Sequence, residues 1–140
     1  MFHTIIIVGY LGRDPEMRYT PAGQAVTNFS VATSRKYTDS NNQQVNETTW
    51  FRISAWGKQA ETCNQYLKKG SRVLVEGRLV PDPNTGSPRM WTRQDGTTSA
   101  SFEVSASTVR FLSSRGETDT GAQDTDTPGP AGEGEDGIPF

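Results

Sequence analysis

Cysteine occurs once in this 140-residue chain, as Cys63, and histidine once, as His3. A lone cysteine closes no internal disulfide and has no CxxC partner for metal or redox work, which suits a reducing compartment. A single histidine ahead of the first strand leaves no His-based triad and no His-rich metal site. The pattern Gly9, Gly12, Arg13 is not followed by GK[ST], so no phosphate loop is expected, and Asp14 and Glu16 read as a turn cap and a solvated face instead of an acid–base pair. No catalytic residue, metal or cofactor is therefore expected. Hydrophobic residues reach only 32% of the chain, so one modest core is expected. The opening apolar run is far too short for a membrane span and has neither a basic leader nor a cleavage site, which predicts a soluble, cytoplasmic protein. Basic residues are absent from the C-terminal end: all 14 Lys and Arg lie in residues 1–115 against 9 acids, a net +5, while residues 116–140 carry 7 acids and no base, a net −7. A mildly basic body with a detached acidic end fits a polyanion binder carrying an interaction tail.

What the chain does have is T-T-W-F-R-I-S-A-W-G at residues 48–57. Strand alternation puts Trp50, Arg52, Ser54 and Trp56 on one side and Phe51, Ile53 and Ala55 on the other. The second set is an ordinary core face. The first sets two indoles around a guanidinium, and single-stranded nucleic acid needs such π-faces and cations together.

The remaining elements follow from period and punctuation. Ile5 to Leu11 is a β-branched run suited to a strand buried on both faces or packed against another subunit. Glu16 to Tyr19 is a short extended piece, and Ala25 to Ser34 alternates Phe29 and Val31 against Asn28, Ser30 and Ala32. Residues 38–47 are polar and turn-rich, predicting a mobile hairpin tip with Tyr37 in a loop at its edge. Ala60, Cys63 and Leu67 fall on one helical stripe, with Gly70 as its C-terminal glycine. Arg72 to Val80 is a strand that sends Val73, Val75 and Leu79 to one face. Arg89 to Arg93 is short and extended, and Thr98 to Leu112 is one long closing strand. Three strands, a helix, then two strands with a hairpin excursion between them predict an all-β fold with one short helix: the OB-fold, a five-stranded Greek-key barrel whose open face and loops bind oligonucleotides or oligosaccharides.

Beyond the barrel, expected to end at residue 115, residues 116–135 are acidic, Gly/Pro-rich and without large apolar groups, which predicts a disordered linker. The last five, Asp136, Gly137, Ile138, Pro139 and Phe140, end that leash with two apolar groups and a carboxylate, the form of a short partner-recognition peptide.

Four aromatics stand out, each within three residues of Arg or Lys: Tyr37, Trp50, Trp56 and Trp91. They are the expected base-stacking rings. Arg35, Lys36, Arg52, Lys58, Arg72, Arg78, Arg89 and Arg93 are the expected phosphate contacts, with Arg13 and Arg18 as weaker candidates. A carbohydrate-binding barrel would also use tryptophan platforms, but it would not need the arginines.

The residues V-G-Y-L-G-R-D-P-E at 8–16, R-Y-T-P-A-G at 18–23, F-S-V-A-T-S at 29–34, W-F-R-I-S-A-W-G-K at 50–58, Y-L-K-K-G-S at 66–71, V-E-G-R-L at 75–79 and the final I-P-F resemble the bacterial single-stranded DNA-binding protein family. That resemblance implies an OB barrel assembled as a homotetramer, with single-stranded DNA wrapped over the same four aromatics. It also implies recruitment of DNA replication, recombination and repair enzymes through the C-terminal tip, and a place in the bacterial cytoplasm at the nucleoid. Members commonly carry Trp and Phe where this chain has Tyr37 and Trp56. Their acidic run usually continues up to I-P-F, where Gly137 interrupts it here.

Overall fold

The computed structural model describes residues 1–113; the predicted linker and tip, 116–140, lie outside the described residues. The alternating apolar runs become strands β1 (Ile5–Leu11), β2 (Glu16–Tyr19), β3 (Ala25–Thr38), β4 (Gln44–Trp56), β5 (Arg72–Leu79), β6 (Met90–Thr92), β7 (Thr98–Ala100) and β8 (Phe102–Phe111), with helix α1 (Lys58–Tyr66) between β4 and β5. The main sheet runs β1-β5-β8-β4-β3-β2, and β1 also pairs with β3. That extra pairing joins Tyr10 to Ala32 and Leu11 to Val31 and closes five strands into a barrel, with β2 as a flap outside β3. Since β4 and β8 run parallel among otherwise antiparallel neighbours, the arrangement is the expected OB-fold.

Two glycines let the barrel close. A Cβ on Gly9 would sit 2.2 Å from the Ala32 carbonyl oxygen, and one on Gly77 would sit 2.1 Å from that of Ser105, so both strand pairs approach where only hydrogen fits. Inside, Ile7, Phe29, Val31, Ile53, Val75 and Val104 form the core. The α1 stripe covers one end of it: Ala60 and Cys63 are wholly buried and Leu67 nearly so. The buried Thr27 hydroxyl donates to the Ala60 carbonyl at 2.6 Å, tying α1 to β3. Enclosure by apolar neighbours pushes the Cys63 thiol up to about 11.

Several expectations change. Half of the 38–47 segment is strand: β3 and β4 stay paired from Val26↔Trp56 to Thr38↔Gln44, and only Asp39–Gln43 turn, held by the Asp39 N–H to the Gln43 carbonyl at 2.9 Å. Backbone pairing needs no apolar side chains, so a polar ribbon projects beyond the core, and Tyr37 is a strand residue on it. β1 buries only one face, with Ile7 and Leu11 inward and Ile6, Val8 and Tyr10 exposed. Helix α1 ends at Tyr66, its C-cap Leu67 already extended, and Gly70 (φ +89°) serves the next turn, donating to the Leu11 carbonyl at 2.9 Å. Leu79 is exposed although it continues the inward row of Val73, Val75 and Gly77, because it is the last residue of β5 and lies at the barrel's rim; the register shift between Glu76 and Gly77 leaves its extra residue, Ser107, on β8. The closing strand is broken at Ser101: β7 leaves the barrel to pair with β6 as a separate two-stranded sheet.

Candidate nucleic-acid interface

The β3–β4 pairing carries the site. Its register sets Ala32 beside Trp50, Ser30 beside Arg52, Asn28 beside Ser54 and Val26 beside Trp56, so every β3 neighbour of the Trp-Arg-Trp row is uncharged, while on the other side Arg52 lies beside Glu103 of β8. Nothing bulky or anionic on β3 screens it. Trp50 is 52% exposed, Trp56 40% and Trp91 40%, whereas Ile53 and Ala55 between them are sealed in the core. The pleat thus separates the two faces of β4 as the alternation predicts.

Two open grooves lie along this face. One, of about 350 Å³, is lined by Gly12, Arg13, Ser30 and Trp50. The other, of about 370 Å³, gathers Arg18, Arg52, Arg89 and Trp91 around Asn28 and Ser54, with Glu103 at its edge. A narrower cleft, lined by Arg13 and Arg52 and also by Asp14 and Glu16, shares residues with both and makes one path from the Trp50 indole past two guanidinium groups and two carboxylates to the Trp91 indole. Trp56 lines none of these three hollows and shares only a strand row with Arg18, since Val26 pairs with Trp56 on one side and with Arg18 on the other. Arg35–Glu47 is the single ion pair among the described residues. Arg13, Arg18, Arg52 and Arg89 therefore face the grooves with their charge uncompensated by any described carboxylate within salt-bridge range, which is how a phosphate-binding guanidinium should stand before its ligand arrives.

The other expected contacts distribute unevenly. Arg78 belongs to the face, because its row runs Arg78↔Ser105, Ser105↔Ser54 and Ser54↔Asn28. Arg72 lies on the row Trp50–Ala32–Tyr10–Arg72, three strands around the barrel's curve from the indole. Lys58 is exposed on the first turn of α1, next to Trp56. Arg93 donates to Ser99 Oγ at 2.9 Å, bracing the β6–β7 hairpin that carries Trp91. On the projecting ribbon Lys36 pairs with Asn46, and Arg35 pairs with Glu47. The Arg35–Glu47 contact is 3.0 Å, and Arg35 also lies 4.5 Å over the Tyr37 ring. By the pleat, Tyr37 and Arg35 belong to the odd-numbered set of β3, opposite to Lys36 and to the row beside Trp50. The four rings do not form one flat strip.

No group of His, Cys, Asp and Glu able to hold a metal occurs among the described residues, and no described helix is long and apolar enough to cross a membrane. The face offers stacking surfaces and cations in a groove, and its chemistry is that of holding bases and phosphates in place.

The sequence profile of the single-strand binding protein family matches residues 2–112, the whole described barrel. The chain belongs to this family. Among family relatives, the single-stranded DNA-binding protein of Neisseria meningitidis serogroup A is 42% identical over 118 residues, covering 84% of this chain and 64% of its own length. That of Wolinella succinogenes is 36% identical over 126 residues, covering 90% of this chain and 74% of its own length. The chain thus spans under two thirds of the Neisseria protein. Among solved structures, the single-stranded DNA-binding protein of Thermus aquaticus, a deletion mutant, superposes with a TM-score of 0.61 at 30% identity, over 81% of this chain and 51% of that one. The Plasmodium falciparum protein, solved in complex with ssDNA, gives 0.64 at 28% identity, over 80% of this chain and 96% of that one.

In this member of the family, sequence reasoning underweights Arg13 and Arg18 and misses Gly12, Asn28 and Ser30. Gly12 has a physical signal only in three dimensions: a Cβ there would lie 2.6 Å from the Trp50 ring. Arg18 could have been found from the four-residue extended piece Glu16–Tyr19, since a short strand beside β3 can only lie at the rim of the face.

Proposed function

We propose that this protein binds and coats single-stranded DNA with little sequence preference, stacking bases on Trp50, Trp56 and Trp91 and on Tyr37 of the ribbon, while Arg13, Arg18, Arg52, Arg78 and Arg89 neutralise phosphates. The observation that carries the reading is the continuous groove from Trp50 through Arg52 to Trp91, rimmed by uncompensated guanidinium groups. The family and the ssDNA-bound Plasmodium neighbour support it. Stacking accepts any base because each has a π-face.

The exposed apolar row Ile6, Val8 and Tyr10 on β1 supports self-association, and family likeness gives its form as a homotetramer. The tip Asp136–Phe140 is the element by which the protein recruits replication, recombination and repair enzymes: Phe140 and Ile138 fill an apolar pocket on the partner, and the acidic residues before them steer the approach to a basic rim.

Titration of oligo(dT) against intrinsic tryptophan fluorescence at two salt concentrations, with duplex DNA as control, tests the binding reading. Strong quenching by single strands alone is expected, with the logarithm of affinity falling by about 0.7 per phosphate contacted for each tenfold rise in salt. Equal response to duplex, or no salt effect, would overturn it.

A further inference from the structure

A further cavity borders the Trp91 groove. It has a volume of about 160 Å³, and its walls are the end of β5, the loop 80–88 and the start of β8. Leu79, Val80, Pro81, Pro88 and Phe102 are its apolar lining, and Glu103 stands on the boundary, lining both this cavity and the groove. Phe102 keeps 49% of its surface open although it has an apolar neighbour in Phe51, whose ring centroid lies 5.9 Å away. The loop is built, not slack. The Asp82 N–H donates to the Ser87 carbonyl and the Gly86 N–H to the Asp82 carbonyl, both at 2.9 Å, while Asp82 Oδ1 accepts from the Asn84 N–H at 2.8 Å. Val80 is tied to β8 through the Glu103 carbonyl at 2.8 Å. A half-open aromatic floor between two proline rings is thus held in place before any ligand arrives.

We infer that this cavity is an additional nucleobase subsite, in which a base of the strand leaving Trp91 stacks on Phe102 between Pro81 and Pro88. The inference rests on the single-strand reading above and extends its path. Three features select a base over other occupants. The cavity is continuous with the proposed DNA groove at Glu103. Its two approaches carry cations that can meet the phosphates of an inserted nucleotide, Arg78 one residue before Leu79 and Arg89 one residue after Pro88. Glu103 at the seam repels a phosphate but accepts a hydrogen bond from a base N–H, the N3–H of thymine or an exocyclic amine of another base, so the base enters and the backbone stays outside.

The test is photocrosslinking of the full chain to short oligo(dT) carrying single 5-iododeoxyuridines, followed by tryptic mapping. Cleavage after Arg93 and Arg110 releases residues 94–110, in which Phe102 is the one aromatic residue, while Trp56 and Trp91 fall in separate peptides. The expected result is an adduct at Phe102 together with those at the tryptophans. Phe102→Leu, which keeps apolar bulk against Phe51, is expected to lose that adduct and to bind oligo(dT) about fivefold or more weakly with its unfolding midpoint preserved. Tryptophan adducts without one in residues 94–110, or affinity of the variant within twofold of the parent, would overturn the subsite, as would competition for the cavity by the chain's own I-P-F peptide without competition by free oligo(dT). Failure of every aromatic to crosslink would overturn the single-strand reading instead.

Discussion

Gly12 shows how a residue without a side chain can set the geometry of a binding ring. Its Cα faces the Trp50 indole so closely that an added Cβ would fall 2.6 Å and 2.7 Å from two ring carbons. No backbone torsion demands glycine there, so the constraint is the ring itself. Gly12→Val should swing the indole off its β4 position, weakening oligo(dT) binding roughly fivefold or more. Because the site is at the surface, the unfolding free energy should change by less than about 1 kcal/mol. Fluorescence titration and urea unfolding of the same variant check both halves. By contrast, Gly9 abuts the Ala32 carbonyl inside the closure of the barrel, where no ring can move aside.

At the scale of elements, β4 was legible in the sequence because its pattern is redundant: Trp50, Arg52, Ser54 and Trp56 alternate with Phe51, Ile53 and Ala55, and both faces tell the same story. The α1 stripe was legible for the same reason. The ribbon was not, since its residues are polar on both faces and its strand character comes from backbone pairing across β3 and β4. Nor was the separation of β7 from β8, where a local departure at Ser101 frees the hairpin that carries Trp91. The groove arginines Arg13 and Arg18 escaped emphasis because they come from a turn and a flap, and only the barrel's closure brings them beside β4. Helix α1 carries its own prediction. Burial raises the Cys63 thiol from its ordinary 9.0 to about 11, so the unfolded chain deprotonates first. The contribution of that buried thiol to stability should be whole below about pH 9 and decline as pH rises towards 11. Cys63→Ala should flatten the alkaline fall in unfolding midpoint, and the native thiol should resist iodoacetamide at pH 8 until denaturant is added. Rapid labelling of the native protein would contradict the burial.

At the scale of the whole molecule, one barrel presents two different outer surfaces. The β3–β4 side is aromatic and basic, and the β1 side is apolar, with Ile6, Val8 and Tyr10 in the open. A monomer gains nothing by leaving such a row wet. If the proposed tetramer forms through this row, Val8→Glu should shift the protein towards smaller species in sedimentation, and it should lower long-oligonucleotide affinity more than short, because wrapping needs several barrels while a single groove does not. A monomeric parent protein would contradict this. The central claim, however, concerns the indoles on β4. Replacing Trp50 and Trp56 together by alanine, in protein whose unfolding midpoint is unchanged, and measuring oligo(dT) affinity by fluorescence anisotropy tests it most directly. Loss of two stacking platforms predicts binding weaker by about 30-fold or more; affinity within twofold of the parent would contradict the account.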